Sequence, residues 1–311
     1  VLIRGEICFF CKSNSLRNQS YIAAGCNLKY AGKTLTLFSK KASTMNRSVA
    51  LLLVLLACGM ASAQTPDCSA LTHQALELSG FNESLDHMAD IMASDQFMQQ
   101  VRGRDSLEEF AAIFTPIIKK EFNGTLLRQE MQSRMAAHCN LEQMTQTVQR
   151  LQSPFVARML ALEAEGNTPE GQAKIQKYIK IAQINPPTEE RIDALDAVDA
   201  SSGSSDLVTD FTLAFLTGMM TGVGAPPDVV EQLRAHRKDL KTQMQNNIEL
   251  SMSVTYHGVS RVDLQQYARE LASPALKTFY AQVSRTFVEI TQERAREIGQ
   301  DLKKAMAARK S

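Results

Sequence analysis

His73, His87, His138, His236 and His257 are the side chains best suited to hold a transition metal or to move a proton near neutral pH. None stands in a His-Glu-x-x-His pattern, and no two share the i, i+3 or i+4 spacing that puts two rings on one helix face. His138 precedes Cys139, but helix neighbours point apart, so a metal there would need ligands from elsewhere. The expectation is structural or surface histidines and no metal. Nucleophile motifs fail as well: after residue 63 there is neither Gly-x-Ser-x-Gly nor Ser-x-x-Lys. The hydroxyl-rich residues 201–205 read as a flexible connector ending at a cap, Asp206. Gly218, Gly222 and Gly224 lack the preceding strand that a phosphate loop requires. These absences predict a protein that is not an enzyme and has no cofactor.

Two further groups of residues have a chemical and a structural reading. Glu189, Glu190, Asp193, Asp196 and Asp199 crowd the start of a helix begun at Thr188. They could hold a divalent cation, but no calcium-loop spacing accompanies them, and acids at a helix N-terminus are stabilising without any ion. Met88 and Met92, like Met131 and Met135, lie four residues apart and so share a helix face. Such thioethers fill cores, line adaptable grooves for hydrophobic clients, or in exported proteins take Cu(I).

Residues 211–225 are the least polar stretch of the chain after residue 63, with Gly218 and Gly222 at the spacing of closely packed helices. Phe211, Phe215, Met219 and Met220 are there a candidate apolar binding surface for a lipid or another apolar small molecule. The structural alternative is a core helix. The stretch is short of the about 20 apolar residues that span a bilayer.

The compartment is read from residues 45–63. A methionine, the basic Arg47, an apolar run and Ala61-Ser62-Ala63 before Gln64 follow the anatomy of a secretory signal, so the expectation is cleavage near Ala63 and a periplasmic protein. The sequence around Cys58, Leu55-Leu56-Ala57-Cys58-Gly59, gives the alternative of a lipoprotein held on a membrane through acylated Cys58. Residues 1–44 read as translated upstream or disordered sequence ahead of that signal. Residues 1–63 hold eight of the 34 Lys and Arg but only Glu6 among the 33 acids, leaving 26 bases, 32 acids and a formal charge of −6. That balance argues against nucleic acid as a partner. Of the six cysteines only Cys68 and Cys139 follow residue 63, and an even pair in an oxidising compartment is most simply a disulfide. Closing so long a loop would contribute on the order of 4 kcal/mol.

The elements that must position all of this are helices. Leu85, Met88, Ala89 and Met92 form an i, i+3, i+4, i+7 stripe; Phe110, Ile113, Phe114, Ile117 and Ile118 form another, with a kink expected at Pro116. Ser106 with Glu109, Asn140 with Gln143, and Thr168 before Pro169 are helix-start patterns. No alternating β pattern persists, so the fold class is all-α, a helical bundle.

The bundle is internally repetitive. Residues 141–154 line up with residues 261–274 at an offset of 120, placing Leu151-Gln-Ser153-Pro154 on Leu271-Ala-Ser273-Pro274. Upstream, Ala75-Leu76-Glu77 falls near Ala194-Leu195-Asp196. Two tandem helical repeats follow, 64–185 and 186–311, divided at Asn185-Pro186-Pro187 where helix cannot continue. Each ends in a helix-Ser-Pro-helix hairpin, with serine as cap and proline in the first turn, where no backbone donor is lost.

The order of helix, Ser-Pro and basic residue, seen in residues 151–158 and 271–280, resembles the C-terminal signature of the family called domain of unknown function 2059, as does Thr168-Pro-Glu-Gly-Gln-Ala-Lys174. The resemblance implies an exported, all-helical bacterial protein, possessing two tandem copies of the unit, and names no reaction. The functional expectation is a non-catalytic periplasmic module binding a protein partner or unfolded client, with a lipid or apolar small-molecule binder as the alternative. The chain after residue 63 is expected to have no transmembrane helix, and membrane attachment arises only if Cys58 is lipidated.

Overall fold

The computed structural model describes residues 67–94, 107–166, 177–178 and 187–308, which lie in one compact unit. The signal-like residues 45–63, the helix starts expected at Ser106 and Thr168 and the break expected at Asn185-Pro186 fall outside them. Among the described residues the protein is all-α, with twelve helices: α1 (Cys68–Leu78), α2 (Phe81–Met92), α3 (Leu107–Glu121), α4 (Gly124–Ala137), α5 (Leu141–Leu151), α6 (Pro154–Gly166), α7 (Glu189–Ser202), α8 (Ser204–Val223), α9 (Pro227–Ala235), α10 (Arg237–Thr255), α11 (Arg261–Leu271) and α12 (Pro274–Ala308). No helix among the described residues is long and apolar enough to cross a membrane.

Local chemistry explains the boundaries. The side chains of Asp67, Asn123, Asn140 and Ser260 each accept a hydrogen bond from the backbone N–H three residues on, starting α1, α4, α5 and α11. Ser153 caps α6 through Val156 N–H at 3.4 Å. Pro116 lies inside α3, which runs through it to Glu121. The expected connector at 201–205 is not a connector. Gly203, at φ 72°, ends α7, and α8 begins at the next residue. The serines are used locally: Ser202 and Ser204 hydroxyls are 2.7 Å apart, while the Ser205 N–H and hydroxyl donate to the Asp199 carboxylate at 2.9 and 2.6 Å. Asp206 is no cap; it pairs with Lys241 at 2.7 Å and Arg237 at 3.1 Å.

Helices α1–α6 and α7–α12 have several neighbour relations in common, although the extensive packing of α8 on α12 belongs to the second set alone. In the first set α1 packs against α2, α4 and α5, α2 against α3 and α4, and α5 against α6. In the second, α7 packs against α8, α10 and α11, α8 against α9 and α10, and α11 against α12. Contacts between the sets are reciprocal too: α12 meets α4 and α5, as α6 meets α10 and α11. At residue level the ring pair Phe155–Tyr267, 6.4 Å between centroids, has its counterpart in Thr147–Ala275, where the threonine hydroxyl donates to the alanine carbonyl at 3.2 Å. Arg150 and Glu270, 120 positions apart, meet each other at 2.9 Å.

The core is continuous through both sets. The stripes on α2 and α3 point inward: Leu85, Met88, Met92, Phe114 and Ile118 are buried, as are Met131 and Met135. Val148, Leu151, Met159 and Leu160 pack the Ser153-Pro154 hairpin. Between α8 and α12 the backbones approach so closely that a Cβ built on Gly218 would sit 2.6 Å from Gln292 O, and Gly222 and Gly299 face each other. Charge closes α3 and α4 against α12: Arg294 reaches Glu130 at 2.8 Å and the buried Glu121 at 3.4 Å, and Arg134 reaches Glu293 at 2.6 Å. Burial pushes the Glu121 carboxyl up, but hydrogen bonds to Lys120 and Glu297 and the Lys120 and Arg294 charges outweigh it and hold the group below the usual range.

Candidate functional site

The turn between α4 and α5 and the facing stripe of α12 line an open cavity of about 420 Å³. His138 ends α4 and Asn140 caps α5, so both stand at the rim. From α5 come Gln143, Met144 and Thr147; from α12 come Thr278, Ala281, Gln282 and Arg285, whose i, i+3, i+4, i+7 spacing keeps them on one face. Met144 and Phe279 are buried and make an apolar floor. Thr147 is also buried, its hydroxyl donating to Gln143 O at 3.0 Å and Ala275 O at 3.2 Å. Gln282 Nε2 donates to Met135 O at 3.0 Å. At the rim are the imidazole of His138 and the guanidinium of Arg285, both exposed, and the lining contains no carboxylate. Arg285 forms no ion pair among the described residues. The volume suits a small molecule, for which sites run from roughly 300 to 1,000 Å³.

A second polar feature is sealed in the core. The Glu163 carboxylate on α6 accepts hydrogen bonds from the hydroxyls of Tyr256 at 2.6 Å and Tyr267 at 2.8 Å, with all three side chains buried. Burial first, and the Glu163 charge second, push the Tyr267 phenol far above its ordinary range, so it stays a donor. This is a tie between α6 and the α10–α11 region, closed to a substrate.

The structure disperses most residues singled out from sequence. His73, His87, His236 and His257 are exposed on separate helices or turns; only His138 faces the cavity. The acids of α7 are not gathered round a centre: Glu189 and Glu190 lie in its first turn, and Asp199 is engaged by Ser205. Asp196 is raised above its usual range, by burial first and then by the Asp199 and Asp193 charges. The methionine faces read as a possible client groove are core. Met88, Met92, Met131 and Met135 are all buried.

The apolar residues proposed as a binding surface are also placed inward. Phe215 and Met219 are buried, and Phe211 and Met220 are partly buried. Phe211 stacks on Phe287 at 5.3 Å and Phe215 meets Phe122 at 6.1 Å, which fits the alternative of a core helix. Cys68 and Cys139 lie at disulfide distance, with Cα atoms 5.9 Å apart, joining the start of α1 to the α4–α5 turn beside the cavity rim.

Thr278, Gln282 and Arg285 escaped sequence reasoning because each is an ordinary residue on an amphipathic helix. The 120-residue offset held the missing signal: it sets Thr147 against Tyr267, Thr278 against Arg158 and Ala275 against Phe155, with the cavity side holding the smaller residue each time. No family model, curated protein or solved structure matches this chain.

Proposed function

We propose that this protein is an exported, non-catalytic binding module, built from two copies of one six-helix unit, that holds a small ligand between α5 and α12. The observation that carries this reading is the cavity of about 420 Å³ with the buried Met144 and Phe279 at its base. Burial of the methionine pairs and of Phe215 and Met219 removes the features that suggested a client groove or a lipid-gripping hairpin, which favours the small ligand. The recurrent order of helix neighbours and the equal boundaries of α5 and α11 support duplication. The paired Cys68 and Cys139 and the signal-like residues 45–63 support export to the periplasm, as does the resemblance of the Ser-Pro hairpins to an exported family.

Native mass spectrometry of protein recovered from the producing cells tests the reading. The expected result is a chain starting at Gln64, two hydrogens lighter than the reduced form, with a dissociable small-molecule adduct. A bare mass, together with unchanged amide exchange in α5 and α12 when the protein is mixed with the small-molecule fraction of its own cells, would end the binding proposal. A chain still retaining residues 1–63 would end the export proposal.

A further inference from the structure

At an offset of 120 residues the cavity-side positions of α5 and α12 correspond to positions on α11 and α6 that are in contact with each other. There Arg158 bonds Asp263 at 3.3 Å, and Phe155 packs on Tyr267. Their counterparts at an offset of 120 are Thr278 facing Gln143, and Ala275 against Thr147. A salt bridge and two rings on one side are replaced on the other by a neutral pair and two small side chains. Charge differs as well. Arg285 corresponds to Glu165, and Gln143 to Asp263, so the open side has exchanged acids for a cation and an amide.

We infer that the open side is a receptor for an oxyanion borne on a short apolar body, a proposal that rests on the cavity being the ligand site. Arg285 supplies a fixed cation with no ion pair of its own among the described residues, and His138 stands at the same rim. Gln143, Asn140 and Thr278 offer uncharged donors, and no lining carboxylate repels the ligand. Met144 and Phe279, buried at the base, accept the apolar part. A neutral ligand gains no charge-assisted hydrogen bond from the guanidinium, so charge is the discriminating property.

The test titrates the full 311-residue chain, with Cys68 and Cys139 oxidised, against hexanoate, hexyl phosphate and neutral hexanamide by isothermal calorimetry. One or both anions bind, with hexanamide at least about tenfold weaker. The two anionic arms separate a carboxylate from a phosphate headgroup. Arg285→Ala, at an exposed position, keeps the melting temperature and loses about tenfold in anion affinity; Arg285→Lys recovers part of it. The double variant Gln143→Asp, Thr278→Arg copies the Arg158–Asp263 pair, keeps the fold and abolishes binding. Equal binding of hexanamide, or anion binding indifferent to Arg285→Ala and to the closing pair, overturns the oxyanion inference while leaving a ligand cavity. Binding of none of the three probes overturns the inference too, with the native-mass adduct judging the cavity separately.

Discussion

At Glu163 a single side chain shows how far a residue's role can lie from its sequence surroundings. Leu162-Glu163-Ala164-Glu165 looks like an exposed turn of helix, yet Glu163 is 5 % exposed and holds two tyrosine hydroxyls from residues about a hundred positions later. Replacing it by leucine, Glu163→Leu, should cost about 3 kcal/mol, because two buried hydroxyls lose their acceptor at once. Urea unfolding would show the loss as a lower midpoint with an unchanged slope. Glu163→Gln, which preserves one acceptor oxygen, should cost less. Nothing in the sequence marked this carboxylate, since burial is decided by what packs over a site and not by the site's own neighbours. Cys68 and Cys139 were legible for the opposite reason: parity and compartment constrain cysteine partners without any knowledge of packing.

Among the helices, the seam of α8 and α12 is held by shape. Gly222 and Gly299 have no room for another carbon, whereas Gly203 has open space but a left-handed backbone. These two demands predict different costs. Gly222→Ala forces the helices apart and should destabilise by about 3 kcal/mol, while Gly203→Ala pays only backbone strain of about 1 kcal/mol. Thermal melts of the two variants would check the order; equal losses would refute the tight seam. The Gly218–Gly222 spacing was readable in advance, but Gly299 was not, isolated as it is among charged residues of α12. The serine run at 201–205 misled because hydroxyls favour both linkers and tight turns, and the deciding partner, Asp199, lay outside the run.

Over the whole molecule the two sets of helices secure the same corner by unlike means. Cys68 to Cys139 fastens α1 to the α4–α5 turn; Arg191 fastens α7 to the α10–α11 turn, its guanidinium donating to Tyr256 O at 2.5 Å and Val259 O at 2.9 Å. Reduction of the cysteines should cost on the order of 4 kcal/mol and raise amide exchange first in α1 and around His138. Arg191→Ala should cost about 2 kcal/mol and loosen α7 and residues 256–260 instead. Exchange rising everywhere alike in both cases would contradict local fastening. Helical class was legible throughout from apolar periodicity, and the 120-residue register already aligned α5 with α11, because both depend on local pattern. The contacts between the two sets were not, since they arise only when the chain folds back on itself.

The 35 residues of α12 reach about 52 Å at 1.5 Å per residue, and along that length the helix touches α3, α4 and α5 as well as α8. One rod thus serves as the back wall of the cavity at its start and as the seat of the glycine seam further on. A tilt of its far end that the rod transmits without bending would move Arg285 relative to the cavity mouth. Occupancy of the mouth and the pitch of the rod are therefore two ends of one lever.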